Sequence, residues 1–500
     1  MKTVLGIDNG TQSTKVVAYD YENRVIAAIG QSPHELISRT DGTREQEAQW
    51  WLTALRNCLS QISPEIKKTV RAIGVSGQQH GFVPLDGEGN VLIPVKLWCD
   101  TSTNGECTIL TENYGGEEEL LKGPGNLIPP GYTASKILWF KRNHPKLYAK
   151  MAHILLPHDY INWWLTGEFA MEYGDASGTG LLNIAKRKWD EKLLHLLDPD
   201  RDLRTCLPPL IEAEKPCGIL QADRAAEMGL PPGIPVSSGG GDNMMGAIGT
   251  GAVKEGIITA SLGTSGTLYG YSDSPVIDPK ARLASFCSST GGWLPLLCTM
   301  NCTVSTELSR NCLDLSLEEL EKEALKAPAG SEGIVTLPFY NGERVPNFPH
   351  GKGCIMGLDN LNYTVPNICR SAMEASIFGL KTGLDSFREL GFEPGEIRLI
   401  GGGANSELWC QMTADILECI VRLPTEKEAA ALGAALQALW MLGTSLPGDN
   451  SSPDLETLTK EHITLDEDRI YEPDSHNIPV YRDTYNVYQS YVEALSGLFS

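Results

Sequence analysis

Two acidic residues in this chain stand beside glycine-rich turns, and both placements suit chemistry on a charged oxygen. Asp8 lies in LGIDNGTQSTK, at the end of an apolar run and just before a turn of Gly, Thr, Gln and Ser. Such a turn offers backbone N–H groups and hydroxyls that a phosphate can approach closely, because glycine has no Cβ in the way. A carboxylate beside a polyphosphate is repelled unless a divalent cation lies between them. Mg²⁺, which takes oxygen ligands and keeps several waters, suits that place. The competing reading makes Asp8 a turn-capping residue bonded to nearby N–H groups. Asp242 follows three glycines in GGGDNMMGAIGTG, where a strand gives way to a helix. A helix N-terminus there favours the ionised carboxylate. That carboxylate could accept the proton of a hydroxyl as its oxygen attacks phosphorus; a plain helix N-cap is the alternative.

A second group of polar residues sits in SGQQHG, where Gln78, Gln79 and His80 end an apolar strand. Together they offer several donors and acceptors, as a polyhydroxylated ligand requires and a core does not. A lone histidine at a strand end would instead read as a hydrogen-bonded structural group. Trp98 in KLWCD reads equally as an aromatic wall of such a pocket or as core packing.

The elements that must carry these residues repeat. Val4–Ile7 and Lys15–Tyr19 read as a hairpin around the first turn, followed by a strand over Val25–Gly30, a helix over Glu47–Ser60 and a strand over Ala72–Ser76. Asp86–Gly89 reads as a turn, Ser135–Lys141 and His158–Leu165 as helices. The glycine-dense stretch Pro231–Gly251 reads as a possible hinge. Beyond it IITASLGTSGTLYGYSD, Ile257–Asp273, restates the opening: strand, Gly-Thr-Ser-Gly-Thr turn, strand, acidic turn. Two matching turns say more than one, and an internal duplication of an α/β domain follows. Ile397–Ile400, the turn GGGANSE and a small-residue helix over Glu428–Leu442 close the second half, and Pro447–Pro453 reads as a surface loop.

Composition narrows the function classes. Five hundred residues with 41% hydrophobic content fit two middle-sized globular domains. A net charge of -22 opposes binding to a phosphate backbone, so nucleic acid is not an expected partner. Thirteen cysteines without a C-x-x-C pair or zinc spacing point to reduced thiols. The N-terminus shows no signal-peptide pattern and no segment has the apolar length to span a bilayer, so a cytoplasmic protein without membrane contact is expected. P-loop, dinucleotide-binding and nucleophile-elbow motifs are missing from the sequence.

These motifs resemble those of the FGGY carbohydrate kinases, in the superfamily of sugar kinases, hexokinase and actin-like ATPases. The resemblance rests on IDNGTQSTK, SGQQHG, LWCD, DYINWWLTGE, YGDASGT, GGGDNMMGAIGTG, SLGTSGT, LPFYNGERVP and GGGANSELWCQMTADIL, which run through nearly the whole chain. It implies an α/β fold of two ribonuclease-H-like domains with an active-site cleft between them: residues 1–247 with sugar site and first phosphate hairpin, residues 248–500 with second phosphate hairpin and adenosine site. By the same resemblance Asp242 is the catalytic base and Asp8 the acidic residue near Mg²⁺. Thr11, Gln12 and Ser13 form the first phosphate turn; Gly263, Thr264 and Ser265 form the second. Gly402, Gly403 and Asn405 fall in the adenosine motif. Gln79 and His80 would hold the sugar with Asp242 and Asn243. ATP and Mg²⁺ are the implied cofactors, a small sugar and ATP the partners, with a homodimer open as the assembly. Within the family the pattern lies nearest the members acting on D-xylulose, giving its 5-phosphate. Ribulose, fuculose, gluconate, erythritol and glycerol stay open as substrates, as does a non-catalytic binding protein. Gln79, where many bacterial members have methionine, Cys99 and Thr101, and a shortened NFPHGKGCIMGL loop depart from the family pattern.

Overall fold

The computed structural model describes residues 1–444 and 454–499, so the loop expected over Pro447–Pro453 lies outside the described residues. The chain forms two compact units. The first comprises Met1–Val253, Ser272–Pro295 and Glu428–Ile463; the second comprises Lys254–Tyr271, Leu296–Lys427 and Thr464–Ser500. Neither unit is one unbroken stretch: two later segments, 272–295 and 428–463, pack with the N-terminal unit.

The opening hairpin forms from Thr3–Asn9 and Ser13–Asp20, paired antiparallel with Asp8 opposite Lys15, and Val25–Pro33 adds a third antiparallel strand. On the other side of Thr3–Asn9 lie Val70–Gly77 and then Pro235–Ser237, both parallel, with Pro216–Ile219 antiparallel at the edge. The second unit repeats this order. Its hairpin, Ile257–Leu262 with Gly266–Gly270, carries Leu296–Thr299 antiparallel on one side. On the other side come Glu396–Ile400 and Ile420–Pro424, both parallel, and an antiparallel edge, Leu465–Tyr471. Three antiparallel strands, two parallel neighbours and an antiparallel edge therefore occur twice, which is the duplication expected from the two turns.

The central strands are apolar on both faces because helices cover both. Val4, Leu5, Ile7, Val16, Val17, Ile73 and Val75 are all buried. Helix Ala48–Ser60 lies against the hairpin side, with Trp51, Leu52 and Leu55 buried. Helix Ala429–Thr444, rich in alanine and glycine, packs against the strands 3–9 and 70–77 and against helix Asp242–Thr250. That last pair approaches so closely that a Cβ on Gly249 would meet the Ala429 carbonyl and one on Gly433 the Met245 carbonyl. The remaining helices expected from periodicity appear as Thr133–Asn143 and Pro157–Thr166.

The stretch 231–251 is ordered secondary structure that ends two residues before the boundary at Val253. It folds wholly inside the first unit, as strand Pro235–Ser237, the short strand Gly240–Gly241 and helix Asp242–Thr250. Each of the thirteen cysteines is a free thiol. No helix among the described residues is long and apolar enough to cross a membrane.

Candidate active site

In the first unit the chemistry-bearing residues gather where parallel strands end. Strand Val70–Gly77 lies between two neighbours at its C-terminal end: Asp8 is in register with Ser76 on one side, and Gly240 is in register with Ser76 on the other. Chain exits at the carboxyl ends of such strands are where open α/β sheets bind ligands. Asp8 and Asp242 thus emerge on either side of the same strand end.

Asp8 is half-buried and accepts a hydrogen bond of 2.9 Å from the Ser76 hydroxyl. Burial pushes its carboxyl up to about 6; the Ser76 hydroxyl and the Lys15 ammonium act against this, and Glu428 adds to it. Lys15 is itself engaged with Glu428 at 2.6 Å.

Asp242 is the first residue of its helix. Gly241 occupies the N-cap and contributes no side-chain bond, so the plain N-cap reading of Asp242 does not describe its place. Asp242 Oδ1 accepts from the Asn243 N–H at 2.8 Å and from Asn243 Nδ2 at 3.1 Å. These bonds favour the ionised form, as the helix N-terminus was expected to do. Burial outweighs them, and the charges of Asp8 and Asp175 add to it, so the pKa of Asp242 is raised to about 7. Its side chain keeps a partly exposed surface, so solvent screens part of that effect. A carboxyl poised near neutrality suits proton transfer better than an ordinary aspartate would.

The three glycines before Asp242 serve close packing. Gly239 has φ of 74° and lies so near strand 70–77 that a Cβ would come within 2.7 Å of the Val75 carbonyl. A Cβ on Gly240 would strike Ser289, and one on Gly241 would come within 2.7 Å of the Gln79 side chain. Gln79 in turn accepts from Asn243 Nδ2 at 2.9 Å and donates to Met244 Sδ at 3.2 Å. The structure therefore brings Gln79, Asp242 and Asn243 into one hydrogen-bonded group.

His80 follows in the left-handed region, with φ of 65°. Its ring lies 4.6 Å from that of Tyr132 and is stacked at 5.7 Å on Phe286, which arrives from the returning segment 272–295. Trp98 is half-buried rather than a core residue, and its indole N–H donates to Thr11 Oγ1 at 2.9 Å. It thus braces the first glycine turn. In that turn the Gly10 N–H donates to the Ser13 carbonyl at 3.1 Å, the Thr11 carbonyl accepts from Gln46 Nε2 at 2.8 Å, and the Gln12 carbonyl accepts from the His34 N–H at 2.8 Å. Gln12 itself is exposed.

In the second unit the Gly263 N–H donates to the Ser265 carbonyl at 3.2 Å. The carbonyls of Gly263 and Thr264 accept from the N–H groups of Thr303 and Cys302, at the start of helix Thr303–Cys312. The stretch expected to bind adenosine forms a tight turn, Gly402–Asn405, after strand Glu396–Ile400. A Cβ on Gly403 would come within 2.6 Å of the Leu262 side chain, which places this turn on the base of the Gly263–Ser265 turn. A Cβ on Gly402 would meet nothing within 4 Å. Asn405 donates to the Gly402 carbonyl at 3.0 Å and accepts from Lys427 Nζ at 3.2 Å.

Among the described residues no group of three or more His, Cys, Asp and Glu side chains could hold a metal ion. Burial raises both Asp8 and Asp242, and the charge of Asp8 adds to the rise at Asp242. Ser76, Tyr132, Lys136, Asp175 and Phe286 also shape this end of the sheet, and sequence reasoning had not singled them out.

With that geometry in hand, comparison with known proteins is specific. The family profile for "FGGY family of carbohydrate kinases, N-terminal domain" matches residues 3–249, and that for the C-terminal domain matches residues 258–442. A xylulose kinase of Haemophilus influenzae is 44% identical over 99% of this chain and 100% of its own length. One of Escherichia coli is 35% identical over 82% of this chain and 84% of its own. Among solved structures, a kinase from Brucella ovis described as a "xyloylose kinase" superposes with a TM-score of 0.91 at 28% identity, covering 99% of this chain and 100% of that one. A repeated sheet topology, paired glycine turns and a carboxylate at a strand-to-helix junction define a two-domain sugar kinase with the actin- and hexokinase-like ATPase fold. The chain belongs to the FGGY family of carbohydrate kinases.

Proposed function

We propose that this kinase transfers the γ-phosphoryl group of ATP to the terminal hydroxyl of D-xylulose, giving D-xylulose 5-phosphate in the cytoplasm. The observation that carries the reading is the group formed by Asp242, Asn243 and Gln79. A carboxyl raised to about 7 stands next to an amide pair whose remaining donors and acceptors suit sugar hydroxyls. The family relatives whose names specify xylulose support the choice of ketose.

In this reading Gln79, His80 and Asn243 hold the sugar, and Asp242 takes the proton of the hydroxyl that becomes the phosphate ester. Trp98 keeps Thr11 in place, so that Thr11, Gln12 and Ser13 offer their N–H groups and hydroxyls to nucleotide phosphate. In the second unit Gly263, Thr264 and Ser265 do the same, while Gly402, Gly403 and Asn405 receive the adenosine. Mg²⁺, when bound, supplies positive charge against the phosphate oxygens, and Asp8 is the residue that would hold it. The protein's work is to position and to neutralise charge.

The test is Mg·ATP-dependent ADP release with D-xylulose beside L-xylulose, D-ribulose, L-ribulose, gluconate, glycerol and a no-sugar control. D-xylulose should give the highest kcat/KM by a wide margin. Asp242→Asn should retain fold and sugar binding and lose a factor on the order of 10² to 10⁴ in kcat. A different preferred sugar would remove the substrate assignment, and near-normal turnover by the variant would remove the base.

A further inference from the structure

His80 is held in the left-handed region, which a residue with a side chain keeps only when its surroundings determine it. Two buried charged side chains act on its two backbone groups. Lys136, from helix Thr133–Asn143, donates from Nζ to the His80 carbonyl at 2.7 Å and to the Gly131 carbonyl at 2.7 Å. The Thr133 hydroxyl adds a third bond to the His80 carbonyl, at 3.1 Å. From the opposite side the Asp175 carboxylate accepts from the His80 N–H, and Asp175 is itself paired with His158 Nδ1 at 2.7 Å.

The placement of Lys136 goes beyond stapling its own helix. Tyr132, whose ring packs on His80, directly precedes that helix, so one element supplies both the aromatic neighbour and the ammonium. Gly131 lies against the Trp98 carbonyl so closely that a Cβ there would collide with it. Lys136 thus joins the segment carrying His80, a side chain of the sugar-binding reading, to the turn that carries Tyr132 and backs Trp98. A fully buried ammonium is costly unless its hydrogen bonds are met, and here two main-chain carbonyls take two of its three donors. Burial lowers its pKa to about 7, with the charge of Asp100 acting the other way.

We propose that Lys136 is a positioning residue for sugar phosphorylation, acting through the His80 carbonyl to fix the imidazole against Tyr132 and Phe286, and through Gly131 to hold the turn that carries Tyr132. This rests on the sugar-kinase reading of the site. The experiment therefore uses two readouts, one of which needs no turnover.

Full-length wild type, Lys136→Met and Lys136→Gln are labelled with carbon-13 at histidine Cε1, giving nine ring resonances for the nine histidines. The His80 signal is assigned by its loss in His80→Gln. The same preparations are assayed for KM of D-xylulose and of ATP. The methionine keeps the bulk and removes every donor, whereas the glutamine keeps an amide with two N–H donors. In Lys136→Met the His80 resonance should move as its ring leaves the two aromatic neighbours. The sugar KM should rise on the order of 10- to 100-fold while the KM for ATP stays within about twofold. Lys136→Gln should recover part of both changes, and it decides the matter if the methionine variant does not fold. An unmoved His80 resonance, or a moved resonance with unchanged sugar KM, overturns the proposal, as does an equal rise in both KM values. If the wild type turns over no sugar, the kinase reading of the site fails, and the His80 resonance alone then decides whether Lys136 positions His80.

Discussion

Replacing the carboxyl of Asp242 by an amide should make the ligand-free protein more stable at alkaline pH, although it removes activity. The folded-state pKa of Asp242 is about 7 against an ordinary 3.8. Between those values the folded protein binds a proton that the unfolded chain has released, so stability falls as pH rises through the window and the loss is complete above about 7. At ~1.4 kcal/mol per pH unit, the whole interval corresponds to ~4 kcal/mol at pH 8 and to about half of that at pH 5.5. The residue is partly exposed, so solvent screening makes these upper values. A realised gain for Asp242→Asn of ~1–3 kcal/mol at pH 8, shrinking toward pH 5.5 and gone below about pH 4, is expected. Urea unfolding followed by tryptophan fluorescence suits the measurement, because of the ten tryptophans only Trp409 lies in the second unit and the signal reports the first. A variant no more stable than wild type at pH 8, or a gain that does not shrink with acid, would refute the claim that burial and Asp8 raise the pKa of this carboxyl.

Two further perturbations test neighbouring parts of the same argument. Because the charge of Asp8 raises the pKa of Asp242, Asp8→Asn should move the acid limb of the kcat/KM profile for sugar to lower pH even as its maximum falls; a limb that stays in place would uncouple the two carboxylates. Gly433→Ala would drive a Cβ into the Met245 carbonyl of the helix that Asp242 begins, so it should cost ~1–3 kcal/mol in urea unfolding and lower kcat, and loss of neither would show that the two helices separate freely.

The repeated fold was legible because its signal is local. A glycine-threonine-serine turn between two apolar runs appears twice, and each turn sits at the tip of a hairpin in a sheet of the same strand order. What could not be read was which later segments return to which unit. Helix Ala429–Thr444 belongs to the first unit through backbone contacts at Gly249 and Gly433, and a close approach permitted by missing side chains leaves no hydrophobic period to detect. The same density of glycine made 231–251 read as a hinge. In the folded chain Gly239, Gly240 and Gly241 each face an atom that a Cβ would strike, so there glycine marks tight packing rather than freedom.

Asp242 and Asp8 were visible as carboxylates beside turns, and the pair Gln79 and Asn243 as polar residues at chain exits. Their electrostatic state was not. Sequence shows a helix N-terminus at Asp242 and hence a lowered pKa, because a helix start is a local feature. What opposes it is burial first, then the charges of Asp8, about 230 residues earlier, and of Asp175, and all three follow from tertiary folding. Phe286 was hidden for a similar reason: it stands in SFCSST without a motif and reaches His80 only because its segment crosses back to the first unit. On the proposed reading, a cation near Asp8 would relieve the part of the rise at Asp242 that Asp8 adds to burial, so nucleotide loading would draw the carboxyl toward the ionised form that takes the sugar's proton.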